Sequence, residues 1–232
     1  MSSIAIIPAR GGSRRIPRKN IRSFCGKPII HYPIHTAIKS GLFKDVIVST
    51  DDAEIAAVAK AAGAHIPFLR SARNSNDTAT TASVLQEVLG ELQRRGTECD
   101  RFCCIYPTTP LLNLQTLAAS ERLLDDPEVS SVQPVVRFGF PPQRAVRIKP
   151  CGRLEWLHPE HALTRSQDLE PQFHDAGQFY WWKTSQFLSG GLLVGENTRA
   201  YEMSELEAQD IDNEADWCAA EYKYRMLQAN AV

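Results

Sequence analysis

Apolar runs alternate with helical periodicity over the first 137 residues, and this alternation constrains the fold more than any other feature of the sequence. The predicted strands, rich in β-branched residues, are residues 4–8, 45–49, 101–106 and 130–136. The predicted helices are residues 28–40, 52–63 and 78–95. Strands that alternate with helices in this way form parallel sheets with helices on their faces. We therefore expect an α/β fold with an open, mostly parallel, twisted sheet flanked by helices.

The alternation stops after residue 137, where five prolines between residues 141 and 171 interrupt the periodic pattern. We therefore expect one domain covering residues 1–232, with residues 138–175 inserted as a lid or dimerisation arm. An aromatic strand at residues 177–183 and a helix at residues 213–228 are predicted to complete the domain. Asp212 is the predicted N-cap of that helix.

Composition is that of an ordinary globular protein, since 43% of the residues are hydrophobic and 23% are charged. The N-terminus lacks the basic segment and the apolar run of a signal peptide. No apolar run reaches about eighteen residues, the length that a membrane span needs. The six cysteines show neither metal-ligand spacing nor a disulfide framework. These features predict a cytoplasmic protein with reduced thiols and no membrane segment.

Positive charges are concentrated at the start of the chain, although the formal net charge is only −1. Residues 8–20, PARGGSRRIPRKN, directly follow the first predicted strand and are called the basic loop below. Open α/β sheets bind ligands at the carboxyl ends of their strands. Glycines let backbone N–H groups approach an anion, and arginine and lysine side chains neutralise it. The basic loop therefore predicts a site for a phosphorylated ligand.

The basic loop is not one of the common phosphate-binding motifs, because neither the P-loop pattern nor GxGxxG is present. Nucleic acid is another class of polyanion that a basic segment can bind. Single-stranded nucleic acid, however, is bound by grooves that combine basic and aromatic side chains, whereas the cations here lie in one short loop. We therefore expect a small phosphorylated molecule as partner, and no nucleic acid.

The basic loop resembles the signature P-A-R-G-G-S-x-R-I-P-x-K-N of the CMP-sugar synthetases, which activate sialic, pseudaminic, legionaminic and related ulosonic acids. Further matches follow in order, so that the resemblance spans nearly the whole chain. They are Ser49-Thr50-Asp51-Asp52, Phe68-Leu69-Arg70, Asp77-Thr78-Ala79-Thr80-Thr81, Pro107-Thr108-Thr109-Pro110 and Gln209-Asp210-Ile211-Asp212. The resemblance implies a Rossmann-like nucleotide-sugar transferase fold and an enzyme that joins CTP to a nine-carbon sugar acid.

The resemblance also implies which residues bind CTP. This implied set is Ala9, Arg10, Gly11, Gly12, Ser13, Arg14, Lys19, Asn20, Arg70, Ala79 and Thr81. Arg10, Ser13, Lys19 and Asn20 would hold the phosphates and ribose. Arg70, Ala79 and Thr81 would read cytosine through hydroxyls and free N–H groups. Arg14 departs from the sialic-type members, which usually carry lysine there, so the charge is kept with a different geometry.

Asp210 and Asp212 are two residues apart, so their carboxylates would point the same way on an extended segment. Paired carboxylates suit Mg²⁺, which bridges them to substrate phosphates. Without the resemblance, a helix N-cap beside a solvated charge explains the same pattern. The resemblance implies a Mg²⁺ site at both aspartates, and it implies one in-line displacement of pyrophosphate. The implied catalytic residues are Arg10, Lys19, Asp210 and Asp212.

Two segments resemble the pseudaminic acid cytidylyltransferases: FPPQRA at residues 140–145 and HDAGQFYW at residues 174–181. Sialic-type members usually carry R-P-N-G-x-x-Y at the second. The proposed sugar-binding residues are Tyr106, Arg144, Arg165, Gln167, Asp168, His174, Asp175 and Gln178. A packing role within the insertion is the alternative for the residues that lie there. Sialic, legionaminic and deoxyoctulosonic acid remain alternative substrates.

The resemblance and the aromatic residues of the last third lead us to expect a homodimer. These side chains could supply either a dimer interface or the core, and the sequence leaves both roles open. They are Trp156, Phe173, Tyr180, Trp181 and Trp182.

Two functions from other classes also remain open. A non-catalytic nucleotide-binding or RNA-binding module would use the same basic loop, but it would leave the acidic pair near the C-terminus unexplained. A glycosyltransferase would consume a sugar nucleotide instead of making one, and the Asp-x-Asp that such enzymes carry in mid-sheet is not evident in this sequence.

Overall fold

The computed structural model describes residues 2–190 and 193–230. The strands in these ranges are β1 (Ser3–Pro8), β2 (Ser23–Phe24), β3 (Lys27–Pro28), β4 (Asp45–Ser49), β5 (Arg101–Ile105), β6 (Ser131–Arg137), β7 (Val146–Ile148), β8 (Leu154–Trp156), β9 (Phe173–Asp175), β10 (Phe179–Lys183) and β11 (Thr198–Met203). The α-helices there are α1 (His31–Ser40), α2 (Ala53–Ala61), α3 (Thr81–Arg94), α4 (Leu114–Arg122), α5 (Thr184–Gly190) and α6 (Glu214–Asn230).

The main sheet has seven strands in the order β11-β6-β10-β5-β1-β4, with β9 also paired to β6. β1 is parallel to both β4 and β5, and β11 is parallel to β6. β10 lies antiparallel between β5 and β6, and β9 is antiparallel to β6. All strands of the main sheet except β9 and β10 therefore run in one direction, which confirms the predicted open, mostly parallel sheet.

Helices cover both faces of the sheet, as the residues of β1 show. Ala5 and Ile7 belong to one apolar cluster with residues of α1, α2 and α4. Ile4 and Ile6 belong to a second cluster with residues of α3 and α5. All four side chains are fully buried, which explains why β1 is a continuous apolar run rather than an alternating one.

A third apolar cluster lies beside the sheet and joins segments that are distant in sequence. Ile16 of the basic loop and Phe24 of β2 belong to it together with Ile211 and Trp217. The Phe24 and Trp217 rings meet edge to face, with centroids 5.5 Å apart. This cluster brings the segment before α6 up to the basic loop.

Several predicted helix boundaries differ from those in the structure. Helix α1 begins at His31 rather than residue 28, because Pro28 pairs with Ser23 in the β2–β3 hairpin. Helix α3 begins at Thr81 rather than residue 78, because the Thr80 hydroxyl caps it. The predicted N-cap at Asp212 is wrong, since the neighbouring asparagine caps α6 instead. Helix α4 and strand β11 were not predicted.

The aromatic residues near the C-terminus divide between the core and the surface. Tyr180, Trp181 and Trp182 on β10 are at most 4% exposed and pack in the two main clusters, so their role is in the core. Trp156 and Phe173 are 38% and 42% exposed.

Residues 138–172 contain the exposed β7–β8 hairpin and short 3₁₀ turns, whereas β9 at the end of the predicted insertion belongs to the main sheet. None of the helices in the described ranges combines the length and the apolar character that crossing a bilayer requires.

Candidate active site

A cavity of about 600 Å³ lies at the edge of the main sheet where β1 and β5 end. Pro8 is the last residue of β1, and Tyr106 and Pro107 directly follow β5, so the cavity opens where parallel sheets bind ligands. Both the basic loop and residues 209–212, called the acidic segment below, line it. The lining residues are Pro8, Arg10, Ser13, Arg14, Arg15, Ile16, Lys19, Asn20, Asp77, Tyr106, Pro107, Thr108, Asp210 and Asp212.

Backbone and apolar contacts hold the basic loop against the sheet. The Ala9 amide donates to the Ser49 carbonyl at 2.8 Å, which continues the pairing of β1 with β4. The buried Asn20 side chain donates to the Arg10 carbonyl at 2.9 Å and closes the loop on itself. Ile16 is 1% exposed within the third apolar cluster. These contacts use no cationic side chain, and four cations of the loop, Arg10, Arg14, Arg15 and Lys19, line the cavity.

Ile211 fixes the acidic segment next to the basic loop. Its side chain is fully buried with Ile16, and its carbonyl accepts a hydrogen bond from Lys19 Nζ at 2.5 Å. With Ile211 turned inward, the residues on either side of it face the cavity, as alternation along an extended segment requires. Arg15 Nη2 lies 2.6 Å from Asp212 Oδ1, and Lys19 Nζ lies 3.9 Å from the same oxygen.

The Asp212 carboxylate is not needed to cap α6. Asn213 Oδ1 accepts from the Asp216 amide at 3.0 Å. The Asp216 carboxylate accepts in return from the amides of Asp212 and Asn213, at 2.9 and 3.0 Å. This reciprocal arrangement satisfies donors in the first turn of the helix. The side chain of Asp212 is therefore left for the cavity.

Burial and charge shift the pKa values of Lys19 and Asp210 in the cavity. Burial lowers the pKa of Lys19, an effect that the nearby carboxylates oppose. Burial raises the pKa of Asp210, and electrostatic repulsion from Asp212 adds to the shift. A bound cation relieves such repulsion, so the pair is a favourable position for positive charge.

Asp77 neutralises two arginines of the basic loop. Arg10 Nη1 donates to Asp77 Oδ1 at 2.9 Å, and Arg14 pairs with the other oxygen of the same carboxylate. The three side chains are between 38% and 82% exposed, so these ion pairs are weak. A phosphate group can therefore replace the carboxylate at small cost.

The residues predicted to read cytosine do not line the cavity. Arg70 is 7% exposed, donates from Nε to Ser49 Oγ at 3.1 Å, and also bonds the Ser49 carbonyl. Burial lowers the pKa of Arg70. Thr81 Oγ1 lies 3.2 Å from the hydroxyl of Tyr106, which lines the cavity. Ala79 lies just before α3.

Residues 175–180 are connected to the cavity by a contact between the aromatic rings of Tyr180 and Tyr106. The Tyr180 hydroxyl donates to Asp175 Oδ2 at 2.5 Å, and its ring meets that of Tyr106 edge to face at 5.6 Å. Gln178 is fully buried, and its Nε2 donates to the Glu207 carbonyl at 2.6 Å. Gln178 therefore supports the chain that leads to the acidic segment.

The remaining predicted sugar-binding residues lie on the insertion and do not line the cavity. Gln167 lines a separate cavity of about 440 Å³, and Arg144 lines another of about 520 Å³. Arg165 and Asp168 are exposed at the ends of a 3₁₀ turn, and His174 is exposed on β9.

The structure brings together the following predicted site residues in one cavity: Arg10, Ser13, Arg14, Lys19, Asn20, Tyr106, Asp210 and Asp212. Gly11 and Gly12 belong to the same loop without lining the cavity. Arg15, Asp77 and Thr108 do line it but were missing from the predicted set. All three lie inside the recognised motifs, and motif membership was the signal that could have identified them.

Comparisons with known proteins agree with this geometry. A family model described as cytidylyltransferase matches residues 4–147. The chain is 36% identical over 231 residues to the pseudaminic acid cytidylyltransferase of Campylobacter jejuni, with 100% of each chain covered. It is 31% identical over 241 residues to the CMP-N,N'-diacetyllegionaminic acid synthase of Legionella pneumophila, again with 100% of each covered.

A solved structure shows the same fold at lower identity. It is that of a CMP:2-keto-3-deoxy-manno-octonic acid synthetase complexed with CTP, with a TM-score of 0.69 and 17% identity. The superposition covers 99% of this chain and 100% of that one.

Proposed function

This chain belongs to the cytidylyltransferase family, and on that premise we propose that it transfers CMP from CTP to pseudaminic acid, with pyrophosphate as the second product. The observation that carries the proposal is a single cavity in which cations of the basic loop meet the two carboxylates of the acidic segment. The full-length match to the relative from Campylobacter jejuni supports pseudaminic acid as the sugar. The relative from Legionella pneumophila makes a legionaminic acid the first alternative.

The proposed reaction is one in-line displacement at the α-phosphorus of CTP. The anomeric hydroxyl oxygen of the sugar bonds to the α-phosphorus, the bond between that phosphorus and the α–β bridging oxygen breaks, pyrophosphate leaves with the bonding electron pair, and the hydroxyl proton passes to solvent. Charge grows on the departing phosphates, where Arg10 and Lys19 neutralise it. Ser13, Arg14 and Asn20 are assigned to the phosphates and ribose because they line the same cavity. Holding both reactants in line supplies much of the remaining acceleration.

The cytosine is assigned to the part of the cavity next to the start of α3, on the Thr81 side of Tyr106. Thr81 contacts the Tyr106 hydroxyl there, and it begins α3, whose first amides are free to bond a base. Arg70 and Ala79 complete this assignment. The backbone amides of the glycines in the basic loop are assigned to the phosphates.

Asp210 and Asp212 are the residues that would hold Mg²⁺. Both line the cavity, and their mutual repulsion makes the pair a favourable site for a divalent cation. No group of three or more His, Cys, Asp or Glu side chains suited to a metal occurs among the residues that the structure describes. A carboxylate pair fits Mg²⁺, because this ion takes one or two carboxylates and completes its shell with phosphate and water oxygens. When bound, Mg²⁺ supplies positive charge at the nucleotide phosphates.

The sugar is assigned to the part of the cavity near Tyr106 and Asp175, at the end of β5 and β9. The insertion is assigned the remaining sugar contacts. The residues of the insertion that stay predicted sugar contacts are Arg144, Arg165, Gln167, Asp168 and His174. The buried Gln178, in the adjoining segment, also stays a predicted sugar contact.

We also propose that the protein is a homodimer formed through the insertion. Phe140, Ile148, Leu154 and Leu163 are 92%, 74%, 67% and 98% exposed there, and apolar surface of this kind marks an interaction site. Leu163→Asp should convert the dimer to monomer in sedimentation velocity, whereas Tyr222→Asp, at a 72% exposed aromatic on α6, should not. A parent protein that sediments only as monomer at micromolar concentration excludes the dimer.

The proposed compartment is the cytoplasm, where CTP is made. The cysteines in the described ranges are free thiols, which suits a reducing compartment.

The sugar assignment is tested by competition. With equal concentrations of pseudaminic and N-acetylneuraminic acid, the enzyme should convert the first and leave the second nearly untouched. A polar group left unpaired by the wrong sugar costs about 1–3 kcal/mol, which gives roughly tenfold or greater discrimination per contact. Equal or reversed preference rejects the sugar and leaves cytidylyl transfer standing. CTP binding without pyrophosphate release, for every ulosonic acid tried, favours the non-catalytic nucleotide-binding module instead.

A further inference from the structure

One arginine of the basic loop points away from the cavity. Arg18 does not line it, and its guanidinium lies against the start of α2. Nη1 donates to Asp52 Oδ2 at 2.5 Å, Nη2 donates to Asp52 Oδ1 at 3.1 Å, and Nη2 also pairs with Glu54. A guanidinium that engages both oxygens of one carboxylate is fixed in orientation as well as in position.

Asp52 is a rigid partner for this arginine. Its Oδ1 accepts from the amides of Glu54 and Ile55, both at 2.9 Å, and so caps α2. Ile55 is 1% exposed in the first apolar cluster, which fixes this end of the helix to the sheet. The hydrogen bond from Arg18 is the largest cause that lowers the pKa of Asp52 to about 2, so the carboxylate is ionised at neutral pH.

The same carboxylate meets the other end of the loop at Gly11. A Cβ atom on Gly11 would lie 2.7 Å from Asp52 Oδ2, so only glycine permits this close approach. The Gly11 amide also donates to Asp51 Oδ1 at 3.0 Å. Gly11 and Arg18 thus flank residues 12–17, and both contact the residues at the start of α2.

Arg18 also occupies an unfavourable backbone conformation. Its φ of 54° and ψ of 30° are in the left-handed region, which residues with a Cβ atom rarely adopt. Lys19 follows directly, begins a 3₁₀ turn and lines the cavity. The contact between Arg18 and Asp52 therefore holds a strained residue beside the lysine assigned to the phosphates.

We propose that Asp52 is a positioning residue for CTP, acting through Arg18 and Gly11 without touching the substrate. This inference rests on the proposed function, because it concerns the loop assigned to the phosphates. Asp52 does not line the cavity, so its effect is exerted on the shape of the loop. Without it, the loop occupies its binding conformation only part of the time, and the apparent affinity falls by that fraction.

Three variants separate the loop contact from the helix cap. Arg18→Gly removes the guanidinium and relieves the backbone, Arg18→Lys keeps the charge but not the two-oxygen contact, and Asp52→Ser keeps a capping oxygen. Each should raise the Kd and KM for CTP about tenfold, equivalent to about 1.4 kcal/mol. The KM for the sugar should change by less than about twofold, since these contacts do not reach the sugar.

Glu54→Gln is the matched control, because it loses only the outer contact of Arg18 and should bind CTP as the parent does. The double variant Arg18→Gly/Asp52→Ser should bind CTP no more weakly than the weaker single variant, since both changes break one contact. Additive losses overturn the proposal, and so does a Kd for CTP within about twofold of the parent in both Arg18 variants.

If Asp52→Ser does not fold, the Kd values for CTP of the two Arg18 variants test the proposal on their own. Calorimetric binding of CTP to the parent is measured first, because a parent that binds no CTP rejects the proposed function itself. A parent that binds CTP normally, with Arg18 variants that do so equally well, rejects only the positioning role.

Discussion

Replacing Asp212 or Asn213 by alanine separates two roles that the sequence places side by side. The Asp212 carboxylate lies in the cavity beside Arg15, whereas Asn213 caps α6. We expect Asp212→Ala to lower pyrophosphate release at least about 100-fold with little change in stability. Asn213→Ala should lower the stability and leave turnover intact.

The sizes of these effects follow from the contacts. Loss of an N-cap costs about 1 kcal/mol, and in a chain of this length that lowers Tm by about 2–4 °C. The Arg15 and Asp212 side chains are 69% and 39% exposed, so loss of their ion pair costs between about 0 and 1 kcal/mol. Asp212→Ala also removes the electrostatic repulsion between Asp212 and Asp210, which offsets part of the stability lost with the ion pair. Turnover should fall at least about 100-fold in Asp212→Ala, the scale for losing one group that stabilises transition-state charge.

Pyrophosphate release across a Mg²⁺ series gives the turnover, and thermal melting gives Tm. Asp210→Ala and the double variant Asp210→Ala/Asp212→Ala extend the test. If both carboxylates ligate one metal, the double variant loses no more activity than the worse single variant. An active Asp212→Ala enzyme, or equal Tm losses in Asp212→Ala and Asn213→Ala, would refute the reasoning.

Lys19→Ala should lower turnover by about 100-fold to 1,000-fold and destabilise the fold by about 1 kcal/mol, because the Ile211 carbonyl loses its donor. Unchanged turnover would remove the basic loop from the mechanism. Asp77→Asn should tighten calorimetric CTP binding about twofold to fivefold, since its carboxylate no longer competes for the loop arginines, and weaker binding would contradict this. The lowered pKa of Asp52, about 2, implies that its stabilisation, on the order of 1–2 kcal/mol, is present above pH about 4 and lost as the pH falls towards 2. In Arg18→Gly, the free energy of unfolding, measured with denaturant, should therefore decrease less than in the parent as the pH falls from about 4 to about 2. An equal decrease in both proteins would contradict this prediction.

The sheet could be predicted where burial leaves a local signal. β4 is found at Asp45–Ser49 as predicted, because a strand buried on both faces is a continuous apolar run. Helix α4 could not be predicted in this way, since two of its three buried residues, Thr116 and Ser120, are polar. β11 was missed because only Met203 on it is buried, so its pairing with β6 depends on tertiary structure.

Sequence motifs identify most residues of the cavity. They do not predict that the basic loop and the acidic segment lie side by side. Ile16 and Ile211 share one apolar cluster although they are far apart in sequence, and no local pattern encodes that contact. The Asp212 cap was a wrong prediction because Asn213 and Asp216 together cap that helix end. Local rules do not decide which of three neighbouring polar side chains forms the cap.

The central place of β10 has a consequence for folding during synthesis. β10 lies between β5 and β6, yet β6 ends at Arg137 and β10 begins only at Phe179. While the ribosome makes the intervening residues, the facing edges of β5 and β6 carry backbone amides and carbonyls without their final partners. Such edges attract other strands, so the nascent chain passes through a stage that favours aggregation.

A fragment ending before Phe179 should therefore fail to fold on its own, even though residues 4–147 are the part that the family model matches. The gap in the sheet closes only when Trp181 and Trp182 enter the two clusters on its faces. We therefore expect the protein to reach its stable fold only after the last third of the chain has left the ribosome.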